Sequence, residues 1–443
     1  MFFKFLQYIS PTWYYNLPSH GQGFYCVDYQ KLSLEEKRMI MLDTGYKNEH
    51  SQHIDAAFQA FQKGIIKDET FALSSQYLIL DVEDNYRFVK KYFHPFWIYY
   101  ICFIRLLSFK NPIKEFRGFI KSFAIKKNNL YAKVNDNKLF NSFYSKLLNE
   151  KPLISVIIPT LNRYVYLNDV LNDFTKQTYT NFKLIIIDQS DKFDRNFYSQ
   201  FPLNIQLIRQ EEKALWLARN TGIENAGTDI IAFSEDDVRI PEKWLENHVK
   251  CLDYYQCDIS NGVFYAIGSK IPTQKKIFKY AEQFATGNAC IYKSVFYKTG
   301  MFDRQFEKMR AGDGEFGLRC YLNGCRAISN PLAFCEDVKA AEGGLREMGS
   351  WDAFRPKKLF APRPIPSVLY LIRKYFGAKA ACLSILNNVP PSLIPYRYKK
   401  NKSIYLIGSI VTFSLFPLII ISVFKSWNIS SRMLKEGDKI GRL

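Results

Sequence analysis

Three consecutive carboxylates, Glu235, Asp236 and Asp237, stand out as residues of this 443-residue chain that can do chemistry. They follow the apolar run 229–233, whose composition is typical of a buried strand. Carboxylates repel one another, and burying one is costly unless a cation or hydrogen bonds compensate. A divalent metal carrying a diphosphate would compensate, because hard cations take oxygen ligands and bridge to phosphate. A solvated acidic turn after the strand is the alternative interpretation.

The elements around these acids predict an α/β fold with parallel pairing. Apolar, β-branched-rich runs are typical of strands buried on both faces, and apolar residues at helical spacing separate them. Strands are expected at 152–160, 182–187 and 205–209, and helices at 166–177 and 215–226. In such sheets ligands bind beyond the carboxyl ends of the strands. Asp188 and the acidic triplet are therefore expected to converge on one ligand.

The region from about Leu153 to Arg346 resembles a family 2 glycosyltransferase, in which six short segments occur in the same order and spacing. The segments are Ser155–Arg163, Ile187–Ser190, Ala218–Ile223, Phe233–Val238, Thr299–Asp303 and Gly312–Arg319. The resemblance implies a GT-A (Rossmann-like) α/β fold, with a mixed, mostly parallel sheet flanked by helices. It also implies a nucleotide-diphosphate sugar as donor, with a UDP-sugar as the default.

The resemblance places the nucleotide on the first strand-to-loop segments. The residues implied are Pro159, Thr160, Asn162, Arg163, Asp188, Arg219 and Asp236. Asp188 corresponds to the acid that accepts a hydrogen bond from the base, although a strand-end turn former is the alternative. Arg219 corresponds to a nucleotide-contacting arginine, and an exposed helix residue is its alternative.

A divalent metal, Mn²⁺ or Mg²⁺, is implied beside the diphosphate. Asp237 is the expected ligand, whereas Glu235 stands where the family usually has aspartate. The chain has no histidine after His248, so Asp337 takes the position of the family's later metal ligand, and a plain surface acid is the alternative. An all-oxygen site suits either ion. Such a metal would neutralise the departing nucleoside diphosphate.

Two acids in the Gly312–Arg319 segment are catalytic candidates. An inverting transfer needs a base on the acceptor hydroxyl. The resemblance implies Asp313 for this role and leaves Glu315 as a second candidate or an acceptor-positioning residue. Both acids also suit the start of the helix predicted over 316–322, where negative charge caps the helix.

Outside this region the chain divides by composition. We expect residues 1–148 to form an accessory region, with helices at 34–42 and 54–63 and a strand at 77–82. The sequence does not indicate the role of this region. The glycosyltransferase domain is expected over 149–348. Beyond it we expect a basic amphipathic helical region at 349–403, a membrane-embedded segment at 404–424 and a basic tail at 425–443, together a C-terminal membrane-associated helical tail. A buried core helix is the alternative for 404–424.

The formal net charge of +19 implies an anionic partner. The basic residues flank apolar stretches, so we expect membrane lipids and no nucleic acid. Residues 96–107 are expected to form an interfacial helix or, equally, a packed core helix.

We therefore expect transfer of a sugar to a glycan or lipid-linked glycan hydroxyl in cell-surface polysaccharide or glycolipid assembly. The expected place is the cell membrane, with the catalytic domain on the cytoplasmic face, where nucleotide sugars are found. A catalytically inactive GT-A scaffold or glycan-binding membrane protein is the alternative.

Overall fold

A computed structural model describes residues 2–19, 27–67, 80–135, 138–269, 271–338, 354, 356, 358, 361–393 and 416–443. The chain divides into two compact units. The first comprises Met1–Ser142 with the inserted segment Ile271–Glu282, and the second comprises Phe143–Lys270 with Gln283–Leu443.

The first unit is built mainly of helices around an aromatic core. Its helices are α1 (Leu6–Ile9), α2 (Leu34–Met39), α3 (Glu49–Gln62), α4 (Val82–Tyr92), α5 (Phe96–Leu107), α6 (Pro112–Ser122) and α7 (Lys138–Ser142). Phe3 stacks on Phe88 with ring centroids 4.1 Å apart, and Phe58 meets the same ring edge-on at 4.8 Å. Aromatic side chains bury large areas, so this cluster supplies much of the core of a small helical unit.

The sequence predicted both helices near the start of this unit, and α2 and α3 confirm them. The strand predicted at 77–82 is wrong at its described end, because Val82 begins α4 with Asp81 as its N-cap. Residues 77–79 lie outside the described part. The Asp81 side chain accepts a hydrogen bond from the Glu83 N–H. This cap stabilises a helix that begins at Val82, although the short apolar run before it is typical of a strand.

The second unit contains a mixed sheet. The strands of the chain are β1 (Ile154–Thr160), β2 (Phe182–Asp188), β3 (Ile205–Arg209), β4 (Ile230–Ser234), β5 (Val238–Arg239), β6 (Ile259–Ala266), β7 (Lys279–Tyr280, in the first unit), β8 (Asn288–Tyr292) and β9 (Ala327–Asp337). The strand order in the second unit is β3-β2-β1-β4-β8-β6-β9-β5. The pairs from β3 to β4 are parallel, β8 runs antiparallel to both its neighbours, and β6 pairs with β9 in parallel.

Helices flank this sheet and connect its strands. They are α8 (Lys146–Glu150), α9 (Tyr164–Phe174), α10 (Arg195–Ser199), α11 (Leu215–Asn225), α12 (Trp244–Tyr254), α13 (Ser294–Thr299) and α14 (Gly312–Leu322). All seven residues of β1 are buried, as expected for a central parallel strand covered on both faces. The predicted strands and helices of this region are confirmed, and their boundaries shift by a few residues at most.

Two long helices follow, α15 (Pro366–Ser392) and α16 (Phe416–Glu436). They pack against each other, and α15 is kinked at Gly377, where φ is +81°. Among the described residues no helix is both long and apolar enough to cross a membrane. Residues 404–415 of the predicted embedded segment lie outside the described part, and residues 416–424 form the start of α16. The predicted membrane-associated tail therefore stays a prediction.

The end of the chain packs onto the second unit. The Met301 N–H donates to the Gly441 carbonyl at 2.9 Å, and Asp303 and Ile440 form a β-bridge. The Gln305 amide donates to the carbonyls of Met433 and Gly437. The last residues of the predicted basic tail are therefore part of this unit's packing.

Candidate functional site

The carboxyl ends of three parallel strands meet at one edge of the sheet. Thr160 at the end of β1 is in register with Asp188 at the end of β2. On its other side, β1 pairs with β4 so that Ile157 lies opposite Phe233. Asp236 follows the end of β4 by two residues, and the Thr160 hydroxyl donates a hydrogen bond to it. Asp188 and Asp236 therefore both adjoin the end of β1, and their convergence on one ligand stays a prediction.

Arg163 ties the acidic triplet to the loop after β1. Its Nη1 lies 3.0 Å from Asp236 Oδ1 and 3.2 Å from Asp237 Oδ2. The Thr160 hydroxyl donates to Asp236 Oδ2 at 2.9 Å. Both carboxylates are almost fully buried, with 5% and 1% of their residue surface exposed. The triplet is therefore not a solvated turn, because its last two acids are buried beside a cation.

Burial raises the pKa of Asp236 above its usual range, and the Arg163 charge and the Thr160 hydroxyl act against that rise. The neighbouring Asp237 charge adds to it. A cationic or hydrogen-bonding ligand at this edge would favour the ionised form further. A cation bound beside Asp236 would therefore be stabilised by the carboxylate that it helps to ionise.

Asp188 is fully buried and hydrogen-bonded on both carboxylate oxygens. The hydroxyls of Tyr164 and Tyr198 donate to Oδ2 at 2.6 and 2.8 Å, and the Ser190 N–H donates to Oδ1 at 2.8 Å. Sequence reasoning did not identify the two tyrosines. The signal available for Tyr164 was its place directly after Arg163, while Tyr198 lies on α10 and becomes a partner only through folding.

Asn162 lies in the loop after β1, in the left-handed region with φ +56°. Its backbone N–H donates to Ser190 Oγ at 2.8 Å, and its side-chain amide exchanges hydrogen bonds with Asp191. The preceding Pro159 lies within β1, in register with Ile187. The hydrogen bonds of Asn162 therefore join the loop after β1 to the loop after β2.

Arg219 on α11 is buried, with 1% of its surface exposed, so the alternative of an exposed helix residue is wrong. Its Nη2 lies 3.8 Å from Glu235 Oε1, and its Nη1 donates to the Thr286 carbonyl. Burial lowers the pKa of Arg219, and the charges of Glu235 and then Asp313 oppose that shift. A buried arginine with one long ion pair retains capacity for a further anionic group.

Glu235 lies directly over Gly287. A Cβ at position 287 would come within 2.3 Å of Glu235 Cγ, so a glycine is required for this close approach. Ser234 next to it is in register with Asn288, whose Oδ1 accepts from Trp244 Nε1 at 2.8 Å. Asn288 was not predicted from the sequence as a site residue, yet it pairs with the end of β4 that carries the triplet and holds the Trp244 ring there.

Asp313 lies in the first turn of α14, which begins at Gly312, earlier than the sequence predicted. It is partly exposed, and its Oδ1 accepts from the Gly314 N–H at 2.8 Å. Burial of its surroundings raises the pKa of Asp313, while the charges of Arg219 and Arg310 oppose that rise. A side chain at position 312 would meet the Trp216 ring at 2.3 Å, which explains the glycine before Asp313.

Glu315 points into a different environment from Asp313. It is fully buried, and both its oxygens accept from Arg319, at 2.9 Å each. The Tyr375 hydroxyl donates to Oε1 at 2.5 Å. Arg319 also donates to the carbonyls of Thr299 and Met301. This geometry describes a carboxylate that ties α14 to α15, whereas Asp313 is partly exposed.

Asp337 ends β9 beside the acidic triplet. It is in register with Val238, and the Val338 N–H donates to the Asp237 carbonyl at 3.2 Å. Within the described part of the chain, no three side chains of His, Cys, Asp or Glu are grouped closely enough to hold a metal ion. The donor chemistry of Asp237 and Asp337 nevertheless suits a hard cation, because both supply carboxylate oxygens.

Residues 155–323 match the protein family described as Glycosyl transferase family 2. The resemblance predicted from the sequence motifs is confirmed by this match, and the mixed α/β architecture agrees with a GT-A-like fold. The finer predictions for the individual site residues stay predictions.

The chain is similar to glycosyltransferase GlyA of Streptococcus pneumoniae, 32% identical over 194 residues, covering 38% of this chain and 27% of GlyA. It is also similar to minor teichoic acid biosynthesis protein GgaB of Bacillus subtilis, 27% identical over 134 residues, covering 27% of this chain and 15% of GgaB. The chain thus spans about a quarter or less of each of these relatives.

Among solved structures it is similar to Staphylococcus aureus TarS 1–349 in complex with UDP-GlcNAc. The TM-score is 0.44 at 16% sequence identity, and the alignment covers 62% of this chain and 89% of that one.

Proposed function

We propose that this protein, whose residues 155–323 match the family described as Glycosyl transferase family 2, transfers a sugar from a nucleotide-diphosphate donor to an acceptor hydroxyl. The acceptor we propose is a glycan or lipid-linked glycan in cell-surface polysaccharide or glycolipid assembly. The biosynthetic role in the name of GgaB supports this class of product. We place the reaction on the cytoplasmic face of the cell membrane, because nucleotide sugars are cytosolic.

One observation carries the proposal: the buried pair Asp236 and Asp237, joined by Arg163, at the carboxyl edge of the sheet. The pair lies where ligands bind in such sheets, beyond the carboxyl ends of parallel strands, and carboxylate oxygens suit a cation that bridges to phosphate. A diphosphate with its counter-ion matches this arrangement. Asp188 on the adjacent strand end is the proposed contact for the base.

A divalent metal, Mn²⁺ or Mg²⁺, would be held by Asp237 together with the phosphates of the donor, because Glu235, Asp237 and Asp337 are not grouped closely enough to hold an ion by themselves. When bound, such an ion neutralises charge on the leaving nucleoside diphosphate. Arg219 lies buried between Glu235 and Asp313 and supplies a fixed positive charge on the same side. In this role it stabilises the charge that develops on the diphosphate as the bond breaks.

Asp313 is the proposed general base for an inverting transfer. The acceptor oxygen forms a bond to the anomeric carbon while its proton moves to the Asp313 carboxylate. The electron pair of the bond between the anomeric carbon and the donor oxygen leaves with the nucleoside diphosphate. The raised pKa of Asp313 suits this role, because a base accepts a proton most effectively when its pKa approaches the working pH.

A donor screen tests this function. The purified full chain is incubated with UDP-, GDP- and other nucleotide sugars, with Mn²⁺ or Mg²⁺, and release of nucleoside diphosphate is measured. We expect one donor to be hydrolysed or transferred in a metal-dependent way, and Asp237→Asn to lose that activity. Metal-dependent UDP binding without turnover of any donor would instead favour an inactive scaffold.

A further inference from the structure

The first unit presents an apolar surface formed by α5 and α6. Large side chains recur on one face of each helix at spacings of three, four or seven residues. The exposed members include Phe96, Phe103 and Leu107 on α5 and Ile113, Phe116 and Ile120 on α6, with exposures between 49% and 78%. These side chains are grouped on one surface, unlike the scattered single apolar residues that are normal on a soluble protein. We call it the α5–α6 face.

The two helices contribute to one continuous face. The Tyr99 ring of α5 meets the rings of Phe119 and Phe123 at centroid distances of 5.3 and 6.0 Å. Phe109 stands in the loop that joins the helices and is 98% exposed. The apolar residues of α5, the loop and α6 therefore form a single edge of the unit.

The opposite side of the hairpin is fixed to the interior, so this face cannot turn inward. Arg105 and Glu115 form a buried ion pair with contacts of 2.9 and 2.6 Å. The Tyr86 hydroxyl donates to Glu115 at 3.0 Å, and a Cβ at Gly118 would meet the Tyr86 ring at 2.6 Å. These contacts hold α5 and α6 against α4. The apolar face stays directed outward by the packing of the unit itself.

Basic residues border this face. Lys114, Arg117 and Lys121 repeat along α6 one position after its apolar residues, and Lys110 lies beside Phe109. Glu115 is the sole acid between residues 96 and 127, and it is buried. Glu83 of α4 pairs with Arg117 and Lys121, at 2.7 and 2.8 Å. The border nevertheless keeps a positive excess, which favours a negatively charged partner.

We propose that the α5–α6 face docks onto an anionic lipid bilayer and lies in its headgroup region. Exposed aromatic and aliphatic side chains beside lysines are the composition of interfacial helices. Helices of 12 and 11 residues are too short to cross the hydrocarbon core, so they lie along the surface. This proposal concerns the first unit and is independent of the proposed sugar transfer.

Vesicle flotation with the full chain tests the proposal. The probes are phosphatidylcholine vesicles with and without phosphatidylglycerol. The apolar variant is Phe103→Glu with Phe116→Glu, and the charge variant is Lys110→Glu with Lys114→Glu. Tyr297→Glu on α13 and Lys176→Glu after α9 are matched controls at exposed positions outside this face. Thermal unfolding by circular dichroism verifies that every variant is folded.

We expect the wild type and both controls to float with phosphatidylglycerol vesicles and to lose binding in high salt. The apolar variant should bind at least about tenfold more weakly, because two large side chains no longer leave water. The charge variant should bind roughly fivefold more weakly for each lysine changed.

Failure of the wild type to float with the phosphatidylglycerol vesicles would overturn the proposal, as would equal flotation of the wild type and the apolar variant. A dimer of the wild type in light scattering that the apolar variant abolishes, with flotation unchanged, would also overturn it. In that case a second copy of the chain covers this face.

Discussion

Arg163 lies 3.0 Å from Asp236 and 3.2 Å from Asp237, so one guanidinium at the start of α9 holds two buried carboxylates beyond β4. This relationship joins the loop after β1 to the acidic triplet. It also makes Asp236 and Asp237 sensitive to the loss of this guanidinium, because both carboxylates are almost fully buried.

Replacing Arg163 with alanine should destabilise the protein. The change leaves Asp236 and Asp237 buried without their cation, which typically costs about 3–5 kcal/mol of the free energy of unfolding. Urea denaturation at neutral pH measures this loss. The deficit should shrink as the pH falls, because burial raises the pKa of Asp236 and its protonation removes a buried charge. Arg195→Ala, at an exposed residue of α10, is the control, and an equal loss in both variants would contradict the assignment.

Asp237→Asn should remove the metal-dependent part of donor binding. The substitution keeps the size of the side chain and withdraws the charge that a divalent ion requires. Isothermal calorimetry of UDP, with and without Mn²⁺, should show that the ion strengthens wild-type binding by more than about tenfold and has little effect on the variant. Glu211→Gln, at an exposed acid, is the control. Retention of the full Mn²⁺ effect in Asp237→Asn would exclude this residue as the ligand.

Asp313→Asn and Glu315→Gln should fail in different ways. Asp313→Asn keeps size and hydrogen bonding at the helix start but cannot accept the proton, so turnover should fall roughly 10²–10⁴-fold with donor affinity nearly intact. Glu315→Gln breaks a buried ion pair with Arg319 and should lower the unfolding temperature instead. Single-turnover kinetics and thermal unfolding separate the two effects. Normal turnover in Asp313→Asn with a stable but inactive Glu315→Gln would move the base to Glu315.

His248 should make stability fall below neutral pH. Its buried ring lies 2.8 Å from Ser260 Oγ and 3.1 Å from Asn288 Oδ1, and burial lowers its pKa to about 4. The unfolded chain protonates this histidine near its ordinary pKa of 6.5, so between those values the unfolded state binds more protons. The free energy of unfolding should therefore decrease as the pH falls from about 6.5 to about 4, by up to about 3 kcal/mol.

Urea titrations across this pH range measure that dependence. His248→Gln should show a smaller slope than the wild type, whereas His94→Gln, at an exposed histidine, should keep it. An unchanged slope in His248→Gln would show that other groups dominate the acid sensitivity.

Local patterns in the sequence predicted elements in both units. The strand expected at 205–209 coincides with β3, and the helix expected at 96–107 coincides with α5. Periodicity identifies such elements because a side chain's burial repeats with the geometry of its own helix or strand. The same local reasoning placed the acidic triplet at a strand end, and its motifs predicted the family match over residues 155–323.

Long-range packing decided which partners the charged residues have. Glu315 has Tyr375 on a helix sixty positions later, and Arg219 is buried against Thr286 although its helix position allowed exposure. The α5–α6 face is exposed because the opposite side of α6 packs on Tyr86, through the hydrogen bond of Glu115 and the close approach at Gly118. Sequence spacing determines which residues share one face of a helix or strand. Whether a charged residue finds a partner, or an apolar side chain is buried, depends on the residues from distant parts of the chain that pack against that face.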